Sequence, residues 1–243
     1  MSKCCIVSLL LMLSFHAVSQ FNDSIHYYLR FASSGIINKT GSNNLYIANN
    51  ALTFKTKKKN ISFNTLTTWI YGEQQHSLIN NDFAAHSDIG LFKGIHKLYY
   101  WGLINYDKSY SLKIDYRLQA GAGFAYSFID SPYLWINISE GILYERGDIT
   151  DAIIGHDRYQ VPRNSLRFLY HWSLKEKFII DGTHFYQPSF KNTHDYIIQS
   201  SNNVSIKLKK WLSLTGAFIY NKVSRTKREN FQVTYGLSAE TYF

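Results

Sequence analysis

The sequence predicts an all-β protein: an antiparallel up-and-down transmembrane β-barrel of about twelve strands, with short periplasmic turns and longer external loops. Three observations predict it. Apolar and polar residues alternate with a period of two over long stretches, the chain begins with a segment typical of export, and aromatic residues make up 16% of it. With 3 prolines in 243 residues and no break in composition, we expect one continuous unit.

The first residues have the pattern of a secretory signal peptide. Lys3 supplies a positive start, residues 4–15 form an uncharged apolar run, and residues 17–19 (Ala-Val-Ser) fit a cleavage site. Such a run rises about 18 Å as a helix, too little for a hydrocarbon core of roughly 30 Å. We therefore predict a signal peptide over residues 1–19 and an outer-membrane barrel over residues 20–243.

Cysteine usage and charge exclude several classes of protein. Cys4 and Cys5 are the chain's 2 cysteines, and both lie inside the predicted signal peptide. The mature chain is then without disulfides, thiol nucleophiles and thiolate zinc sites. A net charge of +9 invites a nucleic-acid interpretation, but export to the cell envelope argues against a nucleic-acid partner.

The clearest alternation lies in residues 112–128. Successive side chains of a strand point to opposite faces, so one parity of this segment is apolar and the other polar. In a membrane barrel the apolar parity faces lipid and the polar parity faces the lumen. This assigns Leu112, Ile114, Tyr116 and Leu118 to the lipid, and the lumen-facing residues are expected to be Lys113, Asp115, Arg117 and Gln119.

The same alternation recurs in residues 212–221 and 230–243. Phe243 ends the last strand at the position of the signal by which barrels are handed to the outer-membrane assembly machinery, so that machinery is an expected partner. Continuing the pattern along the chain places strands near residues 25–36, 45–56, 60–72, 83–92, 97–106, 111–128, 133–146, 164–174, 177–188, 194–208, 211–222 and 230–243.

The connections between these strands alternate in length. Short ones fall near residues 57–59, 93–96, 129–132, 175–176 and 209–210, and longer ones include residues 147–163 and 222–229. An even number of strands with both termini on the short-turn side is typical of bacterial single-chain barrels. A soluble periplasmic β-barrel binding protein alternates in the same way with its apolar face inside, and remains an alternative.

Two stretches also resemble a known family. Residues 115–130 (DYRLQAGAGFAYSFID) and 134–141 (LWINISEG), followed by Tyr144 and Glu145, resemble the YdiY-like, salt-induced outer-membrane protein family, domain of unknown function 481. The likeness extends over most of the mature chain, including its closing segment. The resemblance implies a barrel in the outer membrane and no established substrate.

Glu140 departs from the alternation. It shares the lipid parity of Leu134, Ile136, Ile138, Ile142 and Tyr144, and a charge at mid-strand in lipid is costly. Gly141 tolerates the backbone conformations of a bulge, so we expect an irregularity at residues 139–141 that turns Glu140 into the lumen, near Arg117 or another inward cation on the preceding strand.

His171 and Ser173 are the candidate catalytic pair. Outer-membrane phospholipases and deacylases place His and Ser two apart on a strand, so that the imidazole can deprotonate the hydroxyl. Here both residues share the parity of Arg167, and they lie beside a predicted periplasmic turn. A lipid hydrolase is therefore the alternative function. The chain has no His-Glu-x-x-His motif, and we predict no enzyme, no metal and no cofactor.

The predicted loop over residues 222–229 is basic. Since it should emerge at the outer leaflet, lipopolysaccharide phosphates are the nearest anions, and outer-membrane lipids are the expected partners. The candidate contacts are Lys222, Arg225, Lys227 and Arg228. The function expected overall is a structural, passive component of the envelope or a narrow channel.

Overall fold

The computed structural model describes residues 26–40, 43–92, 97–151 and 155–242. They form thirteen β segments in one sheet. The segments are β1 (Tyr27–Thr40), β2 (Asn43–Lys58), β3 (Ile61–Gln74), β4 (Ser77–Leu91), β5 (Leu98–Ser109), β6 (Ile114–Asp130), β7 (Leu134–Asp151), β8 (Gly155–Asn164), β9 (Leu166–Leu174), β10 (Phe178–Pro188), β11 (Tyr196–Lys207), β12 (Leu212–Val223) and β13 (Arg228–Tyr242).

The sheet closes into an up-and-down antiparallel barrel. Each strand pairs with its neighbour in the chain, and β1 pairs with β13. β8 and β9 are separated by Ser165 alone and both pair with β7, so together they make one barrel strand and the total is twelve. The predicted fold class is confirmed. In the described part of the chain, no helix is long and apolar enough to span a membrane.

Both ends of the described chain lie at one rim, which we call the periplasmic end; the opposite rim is the external end. The signal peptide predicted over residues 1–19 and the assembly signal at Phe243 lie outside the described residues.

The external connections are shorter than expected. Residues 147–163, predicted as a long loop, are largely strand, because β7 continues to Asp151 and β8 begins at Gly155. The other external connections include residues 75–76, 110–113 and 224–227, and residues 189–195 make the longest. The strands therefore project beyond the part that alternation reveals, and the length difference between the two rims is small.

The strands are tilted. As a result, when paired residues are followed from each strand to the next in chain order, they lie progressively nearer the external end. Tyr28, near the periplasmic end of β1, is linked by successive pairs to Ser189, just beyond the external end of β10. The pairs run Tyr28, Lys55, Asn64, Asp88, Leu103, Gly121, Leu143, Arg163 and Ser189. A tilt of roughly 40° is usual for membrane barrels.

The two faces of the wall have the polarity of a membrane barrel. On β6, Arg117 and Gln119 are buried inside, whereas Leu118 is 42% exposed on the outer surface. Large apolar residues cover the outside on other strands too, as with Ile142 and Leu237. A soluble barrel has the reverse arrangement, so the apolar outer face is the lipid-facing surface.

One prediction about the start of β6 is wrong. Leu112 and Ile114 are buried inside the barrel rather than facing lipid. The β6–β7 register shifts between Ile114 and Tyr116, which leaves Asp115 as an extra residue. A bulge of one residue inverts the parity on its N-terminal side, so the alternation that holds from Leu118 onwards is reversed before it.

The bulge also displaces two predicted lumen residues. Asp115 lies at the external rim, where its carboxylate accepts a hydrogen bond from Thr150 Oγ1 at 2.9 Å and its side chain is 42% exposed. Lys113 sits in the turn before β6 with a positive φ of 57°, and its ammonium lies 4.6 Å from the Tyr110 ring centroid. The lumen assignment fails for both, since neither belongs to the regular part of the strand.

The bulge predicted near Glu140 is absent. The β6–β7 ladder runs regularly through this region, pairing Ser139, Glu140 and Gly141 with successive residues of β6. Ser139 is buried inside, so Glu140 faces outwards, where its carboxylate accepts a hydrogen bond from the Asn164 amide rather than meeting Arg117. The prediction is wrong because the Asn164 amide supplies a hydrogen-bond donor on the outer surface, and Glu140 remains in a regular strand.

Glycines leave room for Trp101 inside the barrel. A Cβ at Gly123 would lie 2.6 Å from the Cα of Gly141 and 2.7 Å from the Trp101 indole, and one at Gly141 would lie closer still to that ring. Both glycines are therefore required by the close approach of the indole to the wall. Gly102, on the outer face, has room for a methyl group, whose nearest neighbour would be Ile89 at 3.4 Å.

We predict that Gly123→Ala lowers the yield of folded barrel, because overpacking of this kind costs on the order of 1–3 kcal/mol. The measurement is the fraction that migrates in the heat-modifiable form on SDS gels after refolding into detergent. Gly102→Ala is the matched control and should refold like the wild type. Equal yields for both variants would contradict the packing described for Trp101.

Candidate functional site

A buried ion-pair network occupies the external half of the lumen, centred on Arg163. Arg163 is fully buried, and its Nη2 donates to Glu145 Oε1 at 3.0 Å and to Asp195 Oδ1 at 2.9 Å. Glu145 is buried as well and accepts a 2.6 Å hydrogen bond from Gln119. One guanidinium thus joins β8, β7 and the connection after β10, and it compensates the fully buried carboxylate of Glu145 and the mostly buried carboxylate of Asp195.

Asp195 ties the longest external connection to the wall. Its second oxygen pairs with Arg225, and its backbone carbonyl accepts from the Ser189 backbone N–H at 2.8 Å and from Arg163 at 3.0 Å. Residues 189–195 are thereby closed into a compact turn over the lumen. This turn shares its anchor with the buried network below it.

Arg225, a predicted lipopolysaccharide contact, is turned inwards. It pairs with Asp195 and Asp157, and its guanidinium lies 4.2 Å from the Tyr159 ring centroid. Burial opposes the charge on Arg225 but Asp195 supports it, and the net result is a pKa of the guanidinium above its usual range. The prediction fails for this residue because two carboxylates compete for the side chain.

An apolar cluster lies across the same half of the lumen. Its buried members come from β6, β7, β8, β11 and β12, together with the turn before β6. β6 and β12 are far apart in the sheet, so a continuous cluster that contains residues of both lines the interior from one strand to the other. The members are Leu112, Ile114, Ile149, Tyr159, Val161, Ile197 and Val223.

The external mouth is also bridged. Ser111, in the turn between β5 and β6, receives hydrogen bonds from Arg228 at 3.4 Å and Asn230 at 3.3 Å, both on β13. Asp82 of β4 holds the same turn through the Ser111 hydroxyl at 2.6 Å. The turn therefore reaches across the opening to the far wall.

Two further arginines occupy the lumen. Arg117 pairs with Asp107 at 3.0 Å, and Asp107 also contacts His86 Nε2 at 2.9 Å. Arg167 donates to Ser139 at 3.0 Å and lies over the rings of Trp101, on β5, and Phe185, on β10. Arg117 lies inside the barrel where the sequence placed it.

The interior is less filled beside β1 to β4. Leu66 faces inwards on β3 yet remains 39% exposed, and the inward residues of β1 and β2 are half-buried or exposed. Arg30 of β1 donates here to Thr215 at 3.0 Å and Ser238 at 3.2 Å. The buried residues of the described chain thus concentrate on the β5 to β12 side.

A cavity of about 310 Å³ opens above the network at the external end. Most of its lining residues are polar or charged, and they include Arg225 and Asp195 of the network itself. The lining residues are Gln160, Val161, Ser189, Lys191, Asn192, His194, Asp195, Ser224 and Arg225.

The candidate catalytic pair faces the lumen near the periplasmic end. His171 Nδ1 lies 2.7 Å from Asp181 Oδ1, a carboxylate that could orient the ring, and Ser173 is buried on the same face. Trp172, between them, is on the outer surface. This arrangement supplies a third polar partner that the sequence analysis missed, but it directs the pair away from the lipid.

The remaining basic candidates lie at the external rim. Lys227 and Arg228 are exposed, and Lys222 lies 3.7 Å from Glu229. The rim also brings together Asp115, Asp148 and His156, whose possible metal-ligand atoms lie within 4.8 Å of one another. Arg158 already pairs with Asp148 there at 3.0 Å, which satisfies much of this cluster without an ion.

Sequence reasoning missed the centre of the network. Glu145 lies in a predicted strand on the parity opposite Tyr144, which could have marked it as a lumen residue. Arg163 and Asp195 were placed at a loop end and a strand start, where alternation carries no information. Their meeting depends on the path of residues 189–195, which no local pattern encodes.

Fold and lumen together define a membrane β-barrel of the outer-membrane type. The chain belongs to the family of proteins of unknown function DUF481, which matches residues 32–240. The family suggested by the sequence is thereby confirmed. A comparison of the sequence with curated proteins finds no match.

Solved structures share the fold at low sequence identity. The NanC porin is 8% identical with a TM-score of 0.53, and the alignment covers 88% of this chain and 99% of that one. The translocator domain of autotransporter NalP from Neisseria meningitidis is 9% identical with a TM-score of 0.50, and the alignment covers 90% of this chain and 89% of that one. An outer-membrane channel from Pseudomonas putida F1 is 8% identical with a TM-score of 0.50, and the alignment covers 93% of this chain and 97% of that one. At such identities the likeness concerns the fold alone.

We predict that Glu145→Gln destabilises the barrel by about 3 kcal/mol or more, because it leaves the buried Arg163 with one charged partner fewer. The measurement is the free energy of unfolding in urea from lipid vesicles. Glu229→Gln, which removes the exposed partner of Lys222, is the control and should cost less than about 1 kcal/mol. Similar losses for the two variants would mean that the network adds no more than a surface pair.

Proposed function

We propose that this protein is a passive component of the outer membrane whose lumen is occluded in its external half. The observation that carries the proposal is the apolar cluster around Tyr159, which fills part of the interior from β6 to β12 in the same half of the barrel as the Arg163 network. Structural or sealing roles require a stable barrel without a wide pore. If any path through the lumen stays open, it is a narrow one along the less filled side formed by β1 to β4.

The rest of the structure supports a static lumen. The bridge from Ser111 to β13 and the anchored turn over residues 189–195 fix the external mouth at two separate places. Buried ion pairs of this kind resist the loss of either partner, since an unpaired charge would remain in a dry interior. Opening would require several such contacts to break together.

Location and partners follow from the same proposal. The chain is exported through the periplasm and inserted by the barrel assembly machinery, with Phe243 as its signal. At the external rim Lys222, Lys227 and Arg228 contact lipopolysaccharide phosphates, an attraction that weakens as salt rises. The amount of lipopolysaccharide that co-purifies at low salt, before and after replacing all three residues with Ser, tests this contact.

We predict that the wild-type barrel gives little or no conductance in planar lipid bilayers, and that Leu112→Ala combined with Ile114→Ala increases it. The two substitutions remove buried apolar side chains from the cluster that fills the lumen. Leu118→Ala, on the outer face of the same strand, is the matched control and should leave conductance unchanged.

Two results would contradict the occluded lumen. One is a steady wild-type conductance that the double variant leaves unaltered. The other is an equal increase from Leu118→Ala, which would trace the change to general loosening of β6 rather than to the cluster.

Lipid hydrolysis is the second candidate, favoured by the contact between His171 and Asp181 with Ser173 two residues along the strand. Its obstacle is that the pair faces the lumen, where an acyl chain would have to leave the membrane to react. Mass analysis of lipid A and phospholipids from cells expressing wild type or Ser173→Ala decides it. Deacylated products that depend on Ser173 would establish the hydrolase.

A further inference from the structure

Two ionisable side chains lie on the lipid-facing surface between the charged rims. In the described strands, Glu140 on β7 and His184 on β10 are the only outward-facing Asp, Glu, Lys, Arg or His residues at this level. Ionisable residues in the membrane are costly and are usually retained for a partner or a function. Their presence on the same side of the barrel points to something other than lipid as their neighbour.

Glu140 is incompletely satisfied by its own chain. The Asn164 amide donates one hydrogen bond to Oε1 of the carboxylate, and among the described residues none donates to Oε2. The surrounding outward residues are apolar: Phe124 pairs with Glu140 across the ladder, and Ile138 and Ile142 flank it on β7. A carboxylate in hydrocarbon with one donor leaves most of its hydrogen-bonding capacity unused.

His184 has the complementary requirement. Its Nδ1 lies 2.9 Å from the Ser200 hydroxyl, and its ring stacks on Phe168 and Tyr170 at centroid distances of 6.0 Å and 5.8 Å. The stacking fixes the ring plane, and Nε2 is the ring nitrogen that the Ser200 hydroxyl does not contact. The Tyr170 ring lies against Gly182, where a Cβ would come 2.1 Å from the ring. The ring therefore occupies the space that a side chain at residue 182 would need on the outer surface.

Both residues lie at about the same depth. Ile138 pairs with Phe168, and Phe168 pairs with His184, so His184 is two strands further on than Glu140 and two residues nearer the periplasmic end. With strands about 4.8 Å apart and tilted roughly 40°, the two-strand step rises about 6 Å and the two-residue step falls about 5 Å. The lateral separation is then about 12 Å.

We propose that the barrel forms a symmetric dimer through this face, with the two-fold axis along the membrane normal between Leu166 and Phe168. Membrane insertion gives both copies the same orientation and depth, so the two-fold axis of a dimer must run along the membrane normal, and the interface of such a dimer is isologous. The axis then brings Glu140 of one copy opposite His184 of the second copy, and the reverse pair forms on the other side.

The interface is complementary in chemistry as well as in position. Whichever group of a Glu–His pair holds the proton, the pair contains one donor and one acceptor, so the contact is satisfied in either state. Leu166 and Phe168 are 41% and 38% exposed and lie between the two polar pairs. An apolar centre flanked by two buried polar pairs gives the contact a defined register.

The opposite wall offers no such pattern. The outward residues of β1 and β13 include Phe31, Val233 and Leu237, which suit lipid, and the polar pair of Ser33 with Asn50 at 2.8 Å is neutral. This wall provides controls of matched depth and chemistry. The proposal depends on the membrane setting of the barrel and is independent of whether the lumen is occluded.

The first test is cross-linking in lipid vesicles. In a background with Cys4 and Cys5 replaced by Ser, Leu166→Cys should join to itself with a short bifunctional thiol reagent, because residues near a two-fold axis meet their own copies. Phe31→Cys, on the opposite wall, should remain monomeric at the same protein density. Equal cross-linking of the two variants would overturn the proposed face.

The second test exchanges the polar partners. Glu140→His alone and His184→Glu alone place like groups across the interface, and each should raise the dimer dissociation constant in lipid by about tenfold or more. The double exchange restores a Glu–His pair and should recover the dimer, as counted by single-molecule photobleaching. Asn50→Leu is the control, and every variant is compared at equal folded, heat-modifiable fraction.

A wild type that is monomeric in vesicles overturns the proposal, and so does a double exchange as weak as its parents. Neither result bears on conductance, so a failed dimer and a failed occlusion are distinguishable.

Discussion

The structure depends on one constraint: in hydrocarbon, no water is present to satisfy backbone N–H and C=O groups, so a sheet must close on itself. Pairing of β1 with β13 achieves this closure. Closure in turn fixes which side chains meet lipid and which meet each other. The inward charges cannot be hydrated freely in a narrow lumen, and the pairing of Arg163 with Glu145 and Asp195 is the result.

The inward charges are accordingly compensated by neighbouring side chains. The guanidinium groups of Arg117, Arg163 and Arg167 each have a carboxylate, a hydroxyl or an aromatic face beside them. This is why a porin-like wall, similar in fold to the NanC porin, does not by itself imply a porin-like pore. The surface that faces lipid is mainly apolar, and Glu140 and His184 are the ionisable residues that depart from this pattern between the charged rims.

Much of the wall can be predicted because the residues of a strand in the membrane alternate between lipid and lumen, and apolar and polar residues therefore alternate in the sequence. Outside the membrane the alternation weakens, so the sequence predicts a loop over residues 147–163 although β7 and β8 occupy most of them. Alternation also counts residues without seeing bulges, which misplaced Leu112 and Ile114 but not Arg117. The network at Arg163 was unpredictable for another reason: it joins three segments distant in sequence, and alternation reports only the face of each strand.

The most direct test of this account is a nitroxide scan of residues 112–124 in lipid vesicles, with oxygen and a water-soluble relaxation agent as probes. The account predicts oxygen accessibility with a period of two from Leu118 to Phe124, and protection from both agents at Leu112 and Ile114. Oxygen accessibility at Leu112 and Ile114 equal to that at Leu118 would contradict it, because an unbroken parity would place the apolar cluster in the lipid instead of the lumen.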